Sequence, residues 1–255
     1  MTKTELYIFM NKLTNTGKWL YAVALIAFGI QHFIYADFLT AYVPAWIPWH
    51  LFFVYLVAVA FIAAAISIVI NKHVRLACTM LSIMLALFIL LIHVPRLFDD
   101  PQNVQNWTRA LQDIAIMGTA LMLTSDLRLL PIGKYLFAMP MIVLGLQHFT
   151  HVNFITAKVP AYFPGIAVWD YLFGIIIVIT TIGIISNRYL GVPAILLALF
   201  LLTAMALYQI PLLVSNIYDG PQWAGAMLEL AIAGGAFVVS AMPLTKYNKL
   251  NMATK

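Results

Sequence analysis

The sequence predicts an all-α membrane protein of eight transmembrane helices, arranged as two parallel tandem four-helix bundles. Three observations carry this expectation. Apolar runs of roughly twenty residues, enough to cross a hydrocarbon core of about 30 Å, recur along the whole chain. Only 9% of the residues are charged, against about a quarter in soluble domains. Landmark residues also reappear at a constant interval, Gly17-Lys18 as Gly133-Lys134 and Gln31-His32-Phe33 as Gln147-His148-Phe149.

The elements follow in order. Residues 1–16 are mixed in polarity and lack a small-residue cleavage site, so they read as an N-terminal cytoplasmic segment, with Leu6 to Met10 either a surface-lying amphipathic stretch or a disordered end. Spans are expected at 17–38, 50–70, 74–97 and 107–124, which form repeat 1 (17–124). A cytoplasmic linker, 125–132, leads to spans at 133–154, 166–186, 189–214 and 222–242, which form repeat 2 (133–242), before a tail at 243–255. The spans lack the period-two alternation of barrel strands, so helices must satisfy the backbone in lipid.

The repeat holds its register without a gap. Beyond the pairs above it relates Gly29 to Gly145, Val43-Pro44-Ala45 to Val159-Pro160-Ala161, Pro48 to Pro164, Tyr55 to Tyr171, Pro95 to Pro211, Trp107 to Trp223 and Gly118 to Gly234. An even number of spans per unit makes the copies parallel, related by an axis along the membrane normal, and each is expected to close on its own small bundle.

Eleven of the fourteen Lys and Arg fall on the side of the N-terminus: Lys3, Lys12, Lys18, Lys72, Arg75, Arg128, Lys134, Arg188, Lys246, Lys249 and Lys255. Both termini are therefore expected in the cytoplasm. The net charge of +5 follows from this topology and calls for the lipid bilayer as partner and no nucleic acid. Cys78 is the single cysteine, which excludes dithiol redox chemistry.

Costly polar groups gather at one depth. His32 lies about 22 Å along the first span, His93 about 28 Å along the third, and Asp113 about 9 Å below Trp107 on the fourth. The turn from Val43 to Trp49, with Pro44 and Pro48, cannot continue a helix and reads as an outer lid or re-entrant loop. An ionisable side chain within a span costs about 2.5–3.5 kcal/mol and by default marks a function. The structural alternative is that His32 and His148 hydrogen-bond across the bundle and do nothing else. In the second copy His93 becomes Gln209, Asp113 becomes Glu229 and Arg109 becomes Gly225. Arg109 is placed to pair with Asp113 four residues on, whereas Glu229 must find His148 or Gln209.

Several chemistries use such residues. His32, His93 and Asp113 have the types of a two-histidine, one-carboxylate metal site, and the two histidines those of haem ligation, but no spacing motif supports either. A quinone site needs an apolar crevice with one or two hydrogen-bonding groups, and a groove for another membrane protein would look the same.

Gly-x-Gln-His-Phe ending the first span, Val-Pro-x-x-x-Pro after it, His-x-Pro ending the third, and Trp followed by a carboxylate and Gly in the fourth resemble the DoxX-like membrane proteins. The resemblance covers both copies and rests on His32, His148, His93, Pro44, Pro48, Pro160 and Pro164, while Gln209 departs from it. It implies a multi-pass protein of the bacterial inner membrane, in some relatives tied to quinone-linked sulfur oxidation or to redox partner proteins. The expectation is an outer-leaflet pocket lined by His32, His93 and Asp113 that binds a quinone-like or lipid molecule in support of a membrane or periplasmic redox partner. If the chain is an enzyme, it is a quinone-linked oxidoreductase or a membrane subunit of one. A non-catalytic scaffold or assembly factor, its buried polar groups only locking the bundle, is the alternative. The departure at Gln209 points to a second copy that is structural, without a duplicated site.

Overall fold

Apolar runs this long fold as helices because no other open structure satisfies every backbone N–H and C=O without water. The computed structural model describes residues 2–156, 165–186 and 191–242, and no strand occurs among them. The expected second lid, including Pro160 and Pro164, and the flanking Lys158, Asn187, Arg188 and residues 243–255 lie outside the described residues.

Twelve helices are described. They are α1 (Lys3–Ile34), α2 (Ala36–Thr40), α3 (His50–Val69), α4 (Val74–Phe88), α5 (Val94–Asp99) and α6 (Val104–Leu123), then α7 (Leu129–Thr150), α8 (Val152–Thr156), α9 (Ile166–Ile185), α10 (Gly191–Ala204), α11 (Ile210–Ser215) and α12 (Gly220–Ser240). Short π-helical segments, Ile89–His93 and Met205–Gln209, join α4 to α5 and α10 to α11. Seven helices are long and apolar enough to cross a membrane, so the chain is a multi-pass membrane protein. The segment expected as the fourth span forms the 20-residue α6, but Gln105, Asn106, Arg109, Gln112 and Asp113 in its first half leave it outside the seven.

The N-terminal segment is not separate from the first span. Thr2 and Glu5 form a reciprocal capping box that starts a helix at Lys3, and α1 continues unbroken to Ile34. Buried Met10 on this extension reaches the start of α10, its methyl 3.8 Å from the position of a Gly191 Cβ.

Elements recur at the interval of the sequence landmarks: α3 and α9 start at His50 and Ile166, and the π segments end at His93 and Gln209. Each π segment precedes a proline by one residue. Pro95 and Pro211 have no N–H to give the preceding turn and their rings crowd its carbonyls, and a wider turn accommodates both defects. The residues just before α3 and α9 are both left-handed, Trp49 at φ +55° and Gly165 at φ +66°.

The two halves do not close as separate bundles. α1 packs along α12 and α7 along α6, so the first long helix of each half lies against the last helix of the other. Glycine on glycine makes these seams: a Cβ at Gly17 would sit 2.6 Å from the Gly234 carbonyl oxygen, and one at Gly133 2.7 Å from that of Gly118. Within the first half, the first and last long helices are joined by the Tyr21 hydroxyl, which donates to the Ile116 carbonyl at 2.9 Å. α6 also meets α12. Helices α1, α3 and α4 therefore close one ring on this central pair, and α7, α9 and α10 close a second. The span of α12 is 78% buried, more than any of the other six.

Candidate functional site

Near the ends of the rings where α6 and α12 begin, the two halves use equivalent positions differently. In the first, the π segment turns His93 toward α6, where its Nε2 lies 2.9 Å from Asp113 Oδ2. His32 donates from Nδ1 to the Phe28 carbonyl of its own helix at 2.7 Å, and its ring lies 5.5 Å from that of Phe61. Phe61 in turn contacts Phe28 at 5.6 Å and Phe88 at 6.5 Å. The three phenyl rings form one cluster inside the first ring of helices.

In the second half the counterparts of Phe28, Phe61 and Phe88 are Leu144, Ile177 and Ala204. All three line a cavity of about 300 Å³ enclosed by α6, α7, α9, α10 and α12. That volume is at the lower end of small-molecule sites. Exchanges also run the other way, Val57 to Phe173, Met84 to Phe200 and Ile92 to Tyr208: Phe173 packs edge-on against Phe200 at 4.8 Å and forms wall, and Tyr208 lines the cavity. The apolar floor is Ile177, Leu201, Ala204 and Ile232, and the polar residues His148, Asp170, Arg109, Gln112, Gln209 and Glu229 face the same space.

Of the residues expected at the site, His148, Arg109, Gln209 and Glu229 line this cavity, whereas His32, His93 and Asp113 do not. Arg109 does not pair with Asp113, which His93 occupies. Its guanidinium donates instead to Gln112 Oε1 and across the molecular axis to the Pro221 carbonyl, both at 3.4 Å. The counterpart position holds Gly225, where a Cβ would meet only the Arg109 Nη2, at 4.0 Å. Trp107 lies outside the cavity, its indole N–H held by the Pro101 carbonyl at 2.9 Å, as Trp223 is by Ile217. Pro44 and Pro48 are in the turn before α3, where the Ile47 N–H bonds the Pro44 carbonyl, and they too are not cavity residues.

Glu229 meets Gln209, whose Oε1 also accepts from Gln222 Nε2 at 2.6 Å. The other partner expected for Glu229, His148, is taken by Asp170, with Nδ1 to Oδ1 at 2.5 Å. Asp170 is the cavity residue that sequence reasoning misses. Its signal is a carboxylate in the second turn of a span where the first half has Val54. It is 6% exposed, lines the cavity, and its Oδ2 is buried without a hydrogen-bond partner.

The Gln pair common to both copies ties the rings together. Gln31 donates to the Gly220 carbonyl at 2.7 Å, and Gln147 Oε1 accepts from the Thr108 hydroxyl at 2.9 Å, each bond crossing between halves. Among the described residues no three His, Cys, Asp or Glu side chains cluster as a metal would require. The site thus offers hydrogen-bond donors and acceptors around an apolar slot. Compared with family models, curated proteins and solved structures, the chain matches none.

Proposed function

We propose that the chain is an eight-span, DoxX-like protein of the bacterial inner membrane with both ends in the cytoplasm, and that the cavity of its second half binds the ring of a quinone or a lipid head group in support of a redox partner. The cavity carries the reading: it joins an apolar floor, suited to a ring or chain, to a rim with Arg109, Gln112 and Gln222 as donors. The eighth span is α6. Gln105, Thr108, Arg109 and Gln112 face the cavity, Asn106 donates to the Arg96 carbonyl and Asp113 meets His93, so the polar side chains of α6 turn to the protein. The two halves are taken as parallel copies because their elements recur at one interval.

The test is extraction of the protein purified in mild detergent, with chemical analysis of any bound quinone or lipid. Wild type is expected to retain such a molecule, and Ile177→Phe, which restores a first-half ring to the floor, to lose it. Protein that carries neither molecule and is indifferent to added short-chain quinones would reject the proposal.

A scaffold role retains one observation in its favour. In the first half His32, His93 and Asp113 are satisfied internally, which is how groups that only lock a bundle behave. Under the present proposal the first half is that lock and the second is the site.

A further inference from the structure

We propose that the cavity selects a ring bearing a hydroxyl group, the phenolic or quinol form, and that Asp170 makes the selection by accepting the hydroxyl proton at Oδ2. The inference rests on the cavity reading above and names the form of ligand it holds.

Asp170 is the first ground. Its Oδ1 is engaged by His148 at 2.5 Å, while Oδ2 is buried and unpartnered at the edge of an open space. A buried acceptor left without a donor costs about 1–3 kcal/mol. Only an O–H or N–H can relieve it. An oxidised quinone presents carbonyl oxygens alone and would set acceptor against acceptor; its reduced form presents two hydroxyls.

The first half supplies the second ground, because it shows what this fold holds at the equivalent level. There Phe61 fills the space beside His32, flanked by Phe28 and Phe88, and the counterpart of Asp170 is Val54. In the second half the position of Phe61 holds Ile177, which lines the open cavity, and the position of Val54 holds Asp170. A six-membered ring with a hydroxyl on its edge answers both exchanges: it takes space beside Ile177 and gives Oδ2 a donor.

Arg109 decides between donors. An amine would also satisfy Asp170, but the guanidinium lines the same cavity and repels a second cation. Its two hydrogen bonds, both 3.4 Å, engage two of five N–H groups, so it has donors left for the second oxygen of a quinol.

The experiment is calorimetric titration of the full chain in mild detergent, under argon, with three probes: a short-chain benzoquinol, the matching benzoquinone, and the dimethyl ether of the quinol. The quinol is expected to bind at least about tenfold more tightly than the other two. Asp170→Asn, whose amide can donate, should shrink or invert that preference, and Asp170→Val, the residue of the first half, should abolish it; thermal melting and size-exclusion profiles establish that each variant is folded. Equal affinity for quinol and quinone, or a preference that survives in a folded Asp170 variant, overturns this proposal and leaves the cavity reading standing. Failure of all three probes to bind overturns both.

Discussion

His32 and His93 come from helix ends at similar depth, yet their loss should be felt very differently. His32 bonds a carbonyl of its own helix, and polar contacts of this kind in membranes are worth about 0.6 kcal/mol. His93 is the partner of Asp113, and its removal strands a partly buried carboxylate at a cost of about 1–3 kcal/mol. His93→Ala should therefore lower the thermal midpoint in detergent clearly more than His32→Ala, with Asp113→Asn in between because the amide still bonds the imidazole. A His32→Ala variant as damaged as His93→Ala would show that His32 has a partner beyond Phe28. Sequence can place these two histidines at one level, since depth is residue count times rise. It cannot assign partners, because the π segment that carries His93 meets α6 only once the ring has closed.

The helices owe their arrangement to close backbone approach more than to polar contacts. Gly17 and Gly234 face each other on α1 and α12, and Gly118 and Gly133 on α6 and α7. A branched side chain at Gly17 meets the Gly234 carbonyl and the backbone of Val238, neither of which can rotate away. Gly17→Val should thus cost about 1–3 kcal/mol as overpacking, more than the same change at Gly225, where a Cβ finds its nearest neighbour only at 4.0 Å; melting of purified variants compares them. The π segments are the second device. Pro211→Ala removes the reason for the wide turn before α11, so the turn should relax to α-helix and carry Gln209 away from Gln222 and Glu229. The expected outcome is a folded protein with weakened binding of a short-chain quinol, read by titration. Most of these elements are legible as apolar runs bounded by prolines and charges. Two features are not: the start of α1 at Lys3, which a capping box sets in a stretch of mixed polarity, and the seams, because the interval between repeats says nothing about which helix of one copy touches which helix of the other.

At the scale of the molecule, one architecture is used twice with different contents. The constant interval relates the parts, and the exchanges between them show where the copies diverged: Phe28, Phe61 and Phe88 against Leu144, Ile177 and Ala204, Val54 against Asp170, Arg109 against Gly225. Each of these exchanges can be found by aligning the two copies of the sequence. Costly polar residues point to the copy with more histidine, whereas the signals of the cavity are the rearranged rings of the other copy and the carboxylate it gains at Asp170. The divergence can be tested by transplanting it. A variant with Leu144→Phe, Ile177→Phe and Ala204→Phe, together with Phe173→Val, Phe200→Met and Tyr208→Ile to return the rings that moved the opposite way, gives the second half the aromatic set of the first. Because the first half demonstrates that this set packs between such helices, the variant should fold and melt at or above the wild-type temperature, a filled cavity gaining roughly 24 cal/mol per Å³ at most. It should also bind no ring. The converse pair, Phe61→Ile with Phe88→Ala, should open a cavity beside His32 and lower the melting temperature, yet bind quinol poorly, since Val54 offers no acceptor there. A filled second half that still bound quinol would mean that the ligand sits outside the helix ring altogether.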